Sequence, residues 1–208
     1  HMGWSHMLGA RATKNTREQL SEDLSYASYE QHRPDYATYV RTIQARPGKP
    51  AFSEDRFRIR PNSRYPEKDY DEERTRRGLW HSAMAGGVAN IWGSLDAEGR
   101  SLPYPHAAWF RCYAAFFADR FASDMHACPE VVDGGVAMRS ADGGRAIFYV
   151  EDADSLTIDL SDMSRPCAAV VVDALGPYAE TDVGLLTPGK HTIRFRGRSD
   201  WAVAVSVE

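Results

Sequence analysis

An α/β part followed by an all-β part is the fold class this 208-residue sequence predicts. Two observations predict it: before Cys128-Pro129 short apolar runs alternate with helix-like stretches, and after it nearly everything alternates apolar and polar with period two. Turn signals such as Asp142-Gly143-Gly144 and Pro188-Gly189 between the alternating runs of the second part are a third. The domains are therefore read as 1–127 and 130–208.

In the first part His6 to Ala12 is a short apolar run, followed by Asn15-Thr16-Arg17-Glu18, an N-cap with its Glu three positions on. A short helix runs to about Asp23, and Leu24 to Glu30 reads as a strand. Pro34 opens a helix over Asp35 to Ala45 whose Tyr36, Tyr39, Val40 and Ile43 share a face, and Pro47-Gly48 ends it. Lys49 to Glu54 is the next strand. After an Arg- and Pro-rich loop, Asp71-Glu72-Glu73 place negative charge at the start of a long helix. Gly86-Gly87 stop it and begin a strand to Gly93, and Pro105 opens an aromatic helix through Phe121. The result is about four successive βα units, the pattern of a parallel sheet and half of an eight-stranded (β/α)8 barrel. Such a piece leaves two open edges, so something else completes it or it folds as an open sheet.

The second part is all strand. Gly135 to Arg139 and Arg145 to Val150 flank the Asp142-Gly143-Gly144 turn, and Leu156 to Leu160 and Trp201 to Val207 alternate strictly. Some seven short strands in about eighty residues predict a small antiparallel β-sandwich.

Composition narrows the function classes. At 43% hydrophobic and 11% aromatic the chain can bury a sizeable core. A net charge of −4, with the Arg residues at 56–64 and 74–77 interleaved with acids, argues against nucleic acid as a partner. No apolar run approaches the ~20 residues of a membrane span. The opening His1-Met2-Gly3-Trp4 lacks the basic-then-apolar pattern of a secretion signal, and localisation stays open. Cys112, Cys128 and Cys167 lack metal-ligand spacing and are read as free thiols, with a 112–128 bridge left open for an oxidising compartment. Nothing calls for a metal or a cofactor.

Chemistry gathers at two places. Phe52-Ser53-Glu54-Asp55-Arg56-Phe57 puts Glu54 where its strand would run into a loop, the end at which a (β/α) barrel keeps its catalytic groups. Gly86 to Gly93 ends in Trp92, expected at the same level. An acid beside a flat apolar ring suggests a carbohydrate-processing site. Each has a plainer alternative: Glu54 as a surface carboxylate beside Arg56 and Arg58, Trp92 as a core aromatic, Tyr29 with the same ambiguity. Trp80, on its helix, reads as core. Glu30 is either a second carboxylate or a strand-end hydrogen-bond acceptor, and His32 beside it can line the cleft but is too isolated to bind a metal. Arg11 and Arg56 either bind substrate hydroxyls or neutralise Glu54.

Phe52-Ser53-Glu54, then Tyr70 to Arg77, then Gly78-Leu79-Trp80-His81-Ser82-Ala83-Met84-Ala85-Gly86-Gly87-Val88-Ala89-Asn90-Ile91-Trp92-Gly93, resemble the last two barrel strands of the apiosidase-like bacterial glycoside hydrolases. Gly135 to Val207, with its late Asp200-Trp201, resembles their C-terminal β-module, catalogued as a collagen-binding-type domain. Two departures stand out: Trp92 sits where a Tyr is more usual, and the barrel's first half, with the strand carrying the acid/base, has no counterpart in the sequence. The resemblance implies glycoside hydrolysis by two carboxylates, with Glu54 as nucleophile of a retaining reaction and Trp92, Tyr29, Glu30, His32 and Arg56 about the substrate. It also implies that an N-terminal barrel half, or a second copy of the chain, is the partner. Two other classes remain: a non-catalytic carbohydrate-binding module, and a structural half-barrel that self-associates.

Overall fold

The computed structural model describes residues 23–29, 35–59 and 71–207, with 28–29, 52–58 and 89–92 placed as backbone. Contacts divide the chain into two units, His1–Tyr104 and Pro105–Glu208. The division falls earlier than the change in sequence pattern, so the helix after Pro105 counts with the second unit.

In the first unit β1 (Ala27–Tyr29), β2 (Ala51–Ile59) and β3 (Gly87–Leu95) lie side by side in chain order and run parallel, and a two-residue β4 (Ser101–Leu102) closes the edge antiparallel. The expected strand at His6 to Ala12, the capping box at Asn15 and the loop after Ile59 lie outside the described residues. Two helices make the crossovers. In α1 (Tyr36–Gln44) Asp35 is the N-cap, its Oδ1 accepting from the Thr38 N–H at 2.7 Å, and in α2 (Glu72–Met84) Asp71 accepts from the Arg74 N–H at 2.7 Å. Tyr39 is fully buried on the predicted face of α1, joined there by Thr42. Helix α2 packs on β2 and β3 and buries Leu79, Trp80, Ala83 and Met84. Trp80 is a core residue, as its helical setting suggested.

The turn from α2 into β3 is set by two glycines. Gly86 has φ +98°, the left-handed conformation that ends many helices. Gly87 is required for space: a Cβ there would meet Ser82 Oγ at 2.5 Å and the Ser82 carbonyl oxygen at 2.8 Å. That close approach lets the strand leave directly beneath the helix.

The second unit begins with α3 (Ala107–Phe117) and continues as a mostly antiparallel seven-stranded sheet. Its strands are β5 (Met125–Ala127), β6 (Val132–Asp133), β7 (Val136–Ser140), β8 (Arg145–Asp159), β9 (Cys167–Asp173), β10 (Thr181–Leu186) and β11 (Lys190–Val207), ordered β10-β9-β11-β8-β7-β5 with β6 on β8. The two runs read separately at Arg145 and Leu156 are one strand. It stays in register with β11 at both ends and bends between, where the ladder shifts around Ser199. Asp200 fastens the bend: 2% exposed, it accepts from the Tyr149 hydroxyl at 3.1 Å and from the Asp152 N–H at 2.9 Å. Asp152 stands at φ +49°, a conformation a non-glycine residue holds only where its surroundings fix it. Phe148 and Val150 before the bend and Leu156 and Ile158 after it face inward and pack with Val171, Ile193, Trp201 and Val203 in one apolar cluster, while within the bend Asp152 and Asp154 turn outward and Ala153 packs against the cluster.

Candidate functional site

The first unit carries the candidate site because parallel strands deliver their carboxyl ends to one side of a sheet. Strand β2 is central, and its pairing on both sides fixes what stands level with what. Tyr29 pairs with Ser53, and Ser53 pairs with Asn90, giving one row across three strands. The next pair is Arg56 with Ile91. Glu54 and Asp55 therefore have no rung on β3; they form a bulge.

This corrects the expectation in two ways. Glu54 does not close its strand, because β2 continues to Ile59. It sits instead at an interruption of the ladder, a device that bends a strand and re-aims side chains, and one common beside active sites. Trp92 is not level with Glu54 either. It pairs with Phe57, two residues beyond the Asn90 rung, so it lies about 7 Å farther along the strand at ~3.3 Å per residue.

The other predicted residues fall as follows. Tyr29 lies in the row at Glu54's base, and Arg56 takes up the ladder again after the bulge. Glu30, His32 and Arg11 lie outside the described residues. Asn90 was missed: the row brings it next to Ser53, and the signal available was one amide inside the otherwise apolar Val88-Ala89-Asn90-Ile91-Trp92. Asp55 shares the bulge, which the local sequence does not reveal because the interruption exists only relative to β3.

Elsewhere the described residues offer less chemistry. No group of three or more His, Cys, Asp or Glu among them could hold a metal ion. No helix among them is long and apolar enough to cross a membrane. Cys112, Cys128 and Cys167 are free and buried, and burial pushes the first two up to about 11 and raises the third, which leaves little thiolate for nucleophilic work. A cavity of about 390 Å³ in the second unit is lined by Ala115, Arg120, Ile147, Tyr178, Glu180 and others. Its principal cation is already engaged: Arg120 donates to the Phe116 carbonyl at 3.0 Å, to Tyr178 Oη at 3.1 Å and to Glu180 at 2.5 Å, and lies over the Phe116 ring. Tyr178 donates in turn to Glu180. That closed cluster holds α3 to the β9–β10 connection.

No family model matches the chain, and no curated protein matches it. Solved structures do. A glycoside hydrolase superposes with a TM-score of 0.70 at 12% identity, covering 89% of this chain and 53% of its own. A glycoside hydrolase family 5 structure from Bacteroides vulgatus ATCC 8482 gives 0.70 at 15% identity, with 89% and 50% covered. The fold is glycoside hydrolase-like. A GH30 endoxylanase from Clostridium papyrosolvens C71 follows at 0.51 and 14% identity, with 93% and 51% covered. The chain thus spans about half the length of the hydrolases it matches. At these identities the likeness concerns fold, and the glycoside hydrolase-like fold accounts for both units, since about nine-tenths of the chain is covered.

Proposed function

We propose that this chain is the C-terminal portion of a retaining glycoside hydrolase, comprising the second half of its (β/α)8 barrel and a β-sandwich, and that Glu54 is the nucleophile. The observation that carries the reading is the bulge at Glu54-Asp55 in the central strand of a parallel sheet, inside a fold shared with glycoside hydrolases over about half their length. The bent seven-stranded sheet is read as the sandwich.

A retaining mechanism needs two carboxyl groups ~5–5.5 Å apart, one bonding to the anomeric carbon while the other protonates the leaving oxygen and later deprotonates water. Glu54 supplies the first. The second comes from a strand of the partner half, which also covers the open edge of the sheet. In this reading Asn90, whose backbone is level with Ser53, hydrogen-bonds a sugar hydroxyl next to the reacting carbon, and Tyr29 borders the same row. Arg56 binds hydroxyls or neutralises Glu54. Trp92, farther along its strand, stacks on a neighbouring sugar instead of the one being cleaved. Glu30 and His32 remain candidates for the cleft wall from their sequence position.

The test is Glu54→Gln in the protein of full hydrolase length, or in this chain combined with its N-terminal half, against a panel of aryl glycosides. Turnover should fall by orders of magnitude with the melting temperature unchanged, because an amide cannot form the glycosyl–enzyme bond. Near-normal turnover by Glu54→Gln would overturn the assignment. Glycan binding without hydrolysis by the unmutated full-length protein would favour a binding module instead.

A further inference from the structure

The second unit holds a groove of about 340 Å³ that plays no part in the proposed reaction. It lies between β10 and the first half of β11, two consecutive strands joined by Thr187-Pro188-Gly189 that do not pair with each other. Strand β10 pairs only with β9, and residues 190–194 of β11 pair only with β8, whereas 201–206 pair on both sides. The divergence leaves a slot over the edge of the apolar cluster. Its volume is at the low end of the ~300–1,000 Å³ usual for small-ligand sites.

The lining has two parts. The floor is apolar and aromatic: Val183, Leu186, Ile193, Phe195 and Trp201, with the Phe195 and Trp201 rings stacked 16° from parallel at 4.8 Å between centroids. Trp201 is fixed from behind, donating Nε1–H to the Gly197 carbonyl at 3.1 Å and lying beneath the Arg196 guanidinium at 5.7 Å. Phe195 is only half-buried, so the outer member of this rigid stack keeps ring surface open to the groove. The rim is polar and mixed: Thr181, Asp182, His191, Thr192, Arg194 and Arg196.

Hydrogen-bonding capacity remains on that rim. Asp182 uses Oδ1 to accept from the Gly184 N–H at 2.8 Å, which leaves Oδ2 as an acceptor. His191 approaches the Thr187 carbonyl through Nε2 at 2.6 Å; a carbonyl only accepts, so Nε2 carries the proton and Nδ1 of the neutral ring is an acceptor. Arg194 is exposed, with its guanidinium donors directed to no acid among the described residues, while the Arg196 charge is met by Asp173 at 3.3 Å. Donors and acceptors thus share the rim of a groove that a flat ring also lines. The charges of Asp182 and Arg194 offset each other on the rim, so neither an anion nor a cation is favoured over a neutral ligand. A partner β-strand would meet a β10 edge spoiled by the register shift between Asp182 and Gly184, the latter at φ +90°. A neutral polyhydroxylated ligand suits every feature: its hydroxyls donate and accept, and its C–H face lies on an aromatic ring.

We propose that this groove binds a neutral sugar, a terminal residue or disaccharide of a glycan, as a second carbohydrate site remote in sequence from Glu54. The choice of ligand class rests on the glycoside hydrolase reading; the groove itself does not. The experiment titrates the full ¹⁵N-labelled chain with xylohexaose, cellohexaose, mannohexaose and maltohexaose, following amide shifts. At least one probe should produce saturable shifts confined to residues 181–186 and 191–196. Arg194→Gln and Asp182→Asn, both surface changes and the second retaining the cap on Gly184, should each weaken that binding about tenfold with the remaining spectrum unchanged. Phe195→Leu, which keeps apolar bulk but removes the flat face, should abolish it. Absence of shifts with all four sugars at millimolar concentration would overturn the proposal, as would shifts that persist in Arg194→Gln and Asp182→Asn or protection of residues 190–194 by self-association. Because the readout is binding, it stands apart from the Glu54→Gln result: groove shifts without hydrolysis leave this site intact, and hydrolysis without groove shifts removes it.

Discussion

Asp200 shows how a single side chain can hold a fold's most demanding feature. It is buried, and both its carboxylate oxygens have donors, one from the Tyr149 hydroxyl and one from the Asp152 N–H. Removing one donor takes a hydrogen bond away from a buried carboxylate, at ~1–3 kcal/mol. Tyr149→Phe should therefore lower unfolding free energy by about that amount in urea titration while β-sheet circular dichroism is unchanged; a loss under about 0.5 kcal/mol would show the bond to be replaceable. The bidentate Arg198–Asp152 pair close by is exposed on both sides and contributes far less. Gly87 is the converse case, a residue that matters for what it lacks. A methyl group there meets backbone as well as the Ser82 hydroxyl, and backbone cannot swing aside. Gly87→Ala should destabilise by about 1–3 kcal/mol in the same measurement, as overpacking does, whereas Gly93→Ala, with nothing within 4 Å of the added carbon, should not pay that penalty.

Helix starts belong to the scale of elements. Asp35 caps α1, and the Thr38 N–H, then the Thr38 hydroxyl, hold its carboxyl below the usual carboxylate value. A folded-state pKa that is depressed means stabilisation present in full above the unfolded value, ~3.9, and lost as pH falls through the folded one. Asp35→Ala should cost about 1 kcal/mol at pH 7, as loss of an N-cap does. Chemical denaturation repeated at falling pH should show that difference shrink once the pH drops below the unfolded value; a penalty independent of pH would mean that the carboxylate's charge plays no part. The bulge in β2 is likewise a property of the element and not of Glu54 alone. Nothing in Phe52-Ser53-Glu54-Asp55-Arg56-Phe57 announces two residues without a rung, because the interruption exists only relative to β3.

At the scale of the whole molecule, the three thiols report on one unit. Cys112, Cys128 and Cys167 all belong to Pro105–Glu208, all are buried, and burial raises all three pKa values. Labelling with a thiol-specific disulfide reagent at pH 7.5 should be negligible in the folded protein and reach all three thiols in denaturant, with the labelling rate rising with the opening of that unit. Rapid labelling of Cys128 or Cys167 under native conditions would contradict the packing of the apolar cluster to which both belong, and rapid labelling of Cys112 would contradict its burial.

By itself the sequence determined the elements and their kind. Proline, glycine and acidic side chains act over a few residues, so the helix starts at Pro34-Asp35 and at Asp71 and the stop at Gly86 could be read directly, as could the period-two rows that became β7, β8 and the end of β11, whereas the capping role of Asp35 and Asp71 emerged only with the structure. It singled out Glu54, and it separated a parallel part from an antiparallel one. Register it did not determine, because that depends on which rungs two distant segments share. Only tertiary structure placed Asn90 beside Ser53, set Trp92 about 7 Å beyond the Ser53–Asn90 rung, and carried β8 unbroken through a bend that the sequence suggests is two strands. The groove beside Phe195 and Trp201 has the same origin: Thr181 and Arg194 are far apart along the chain, and only the failure of β10 to pair with β11 brings them to one rim.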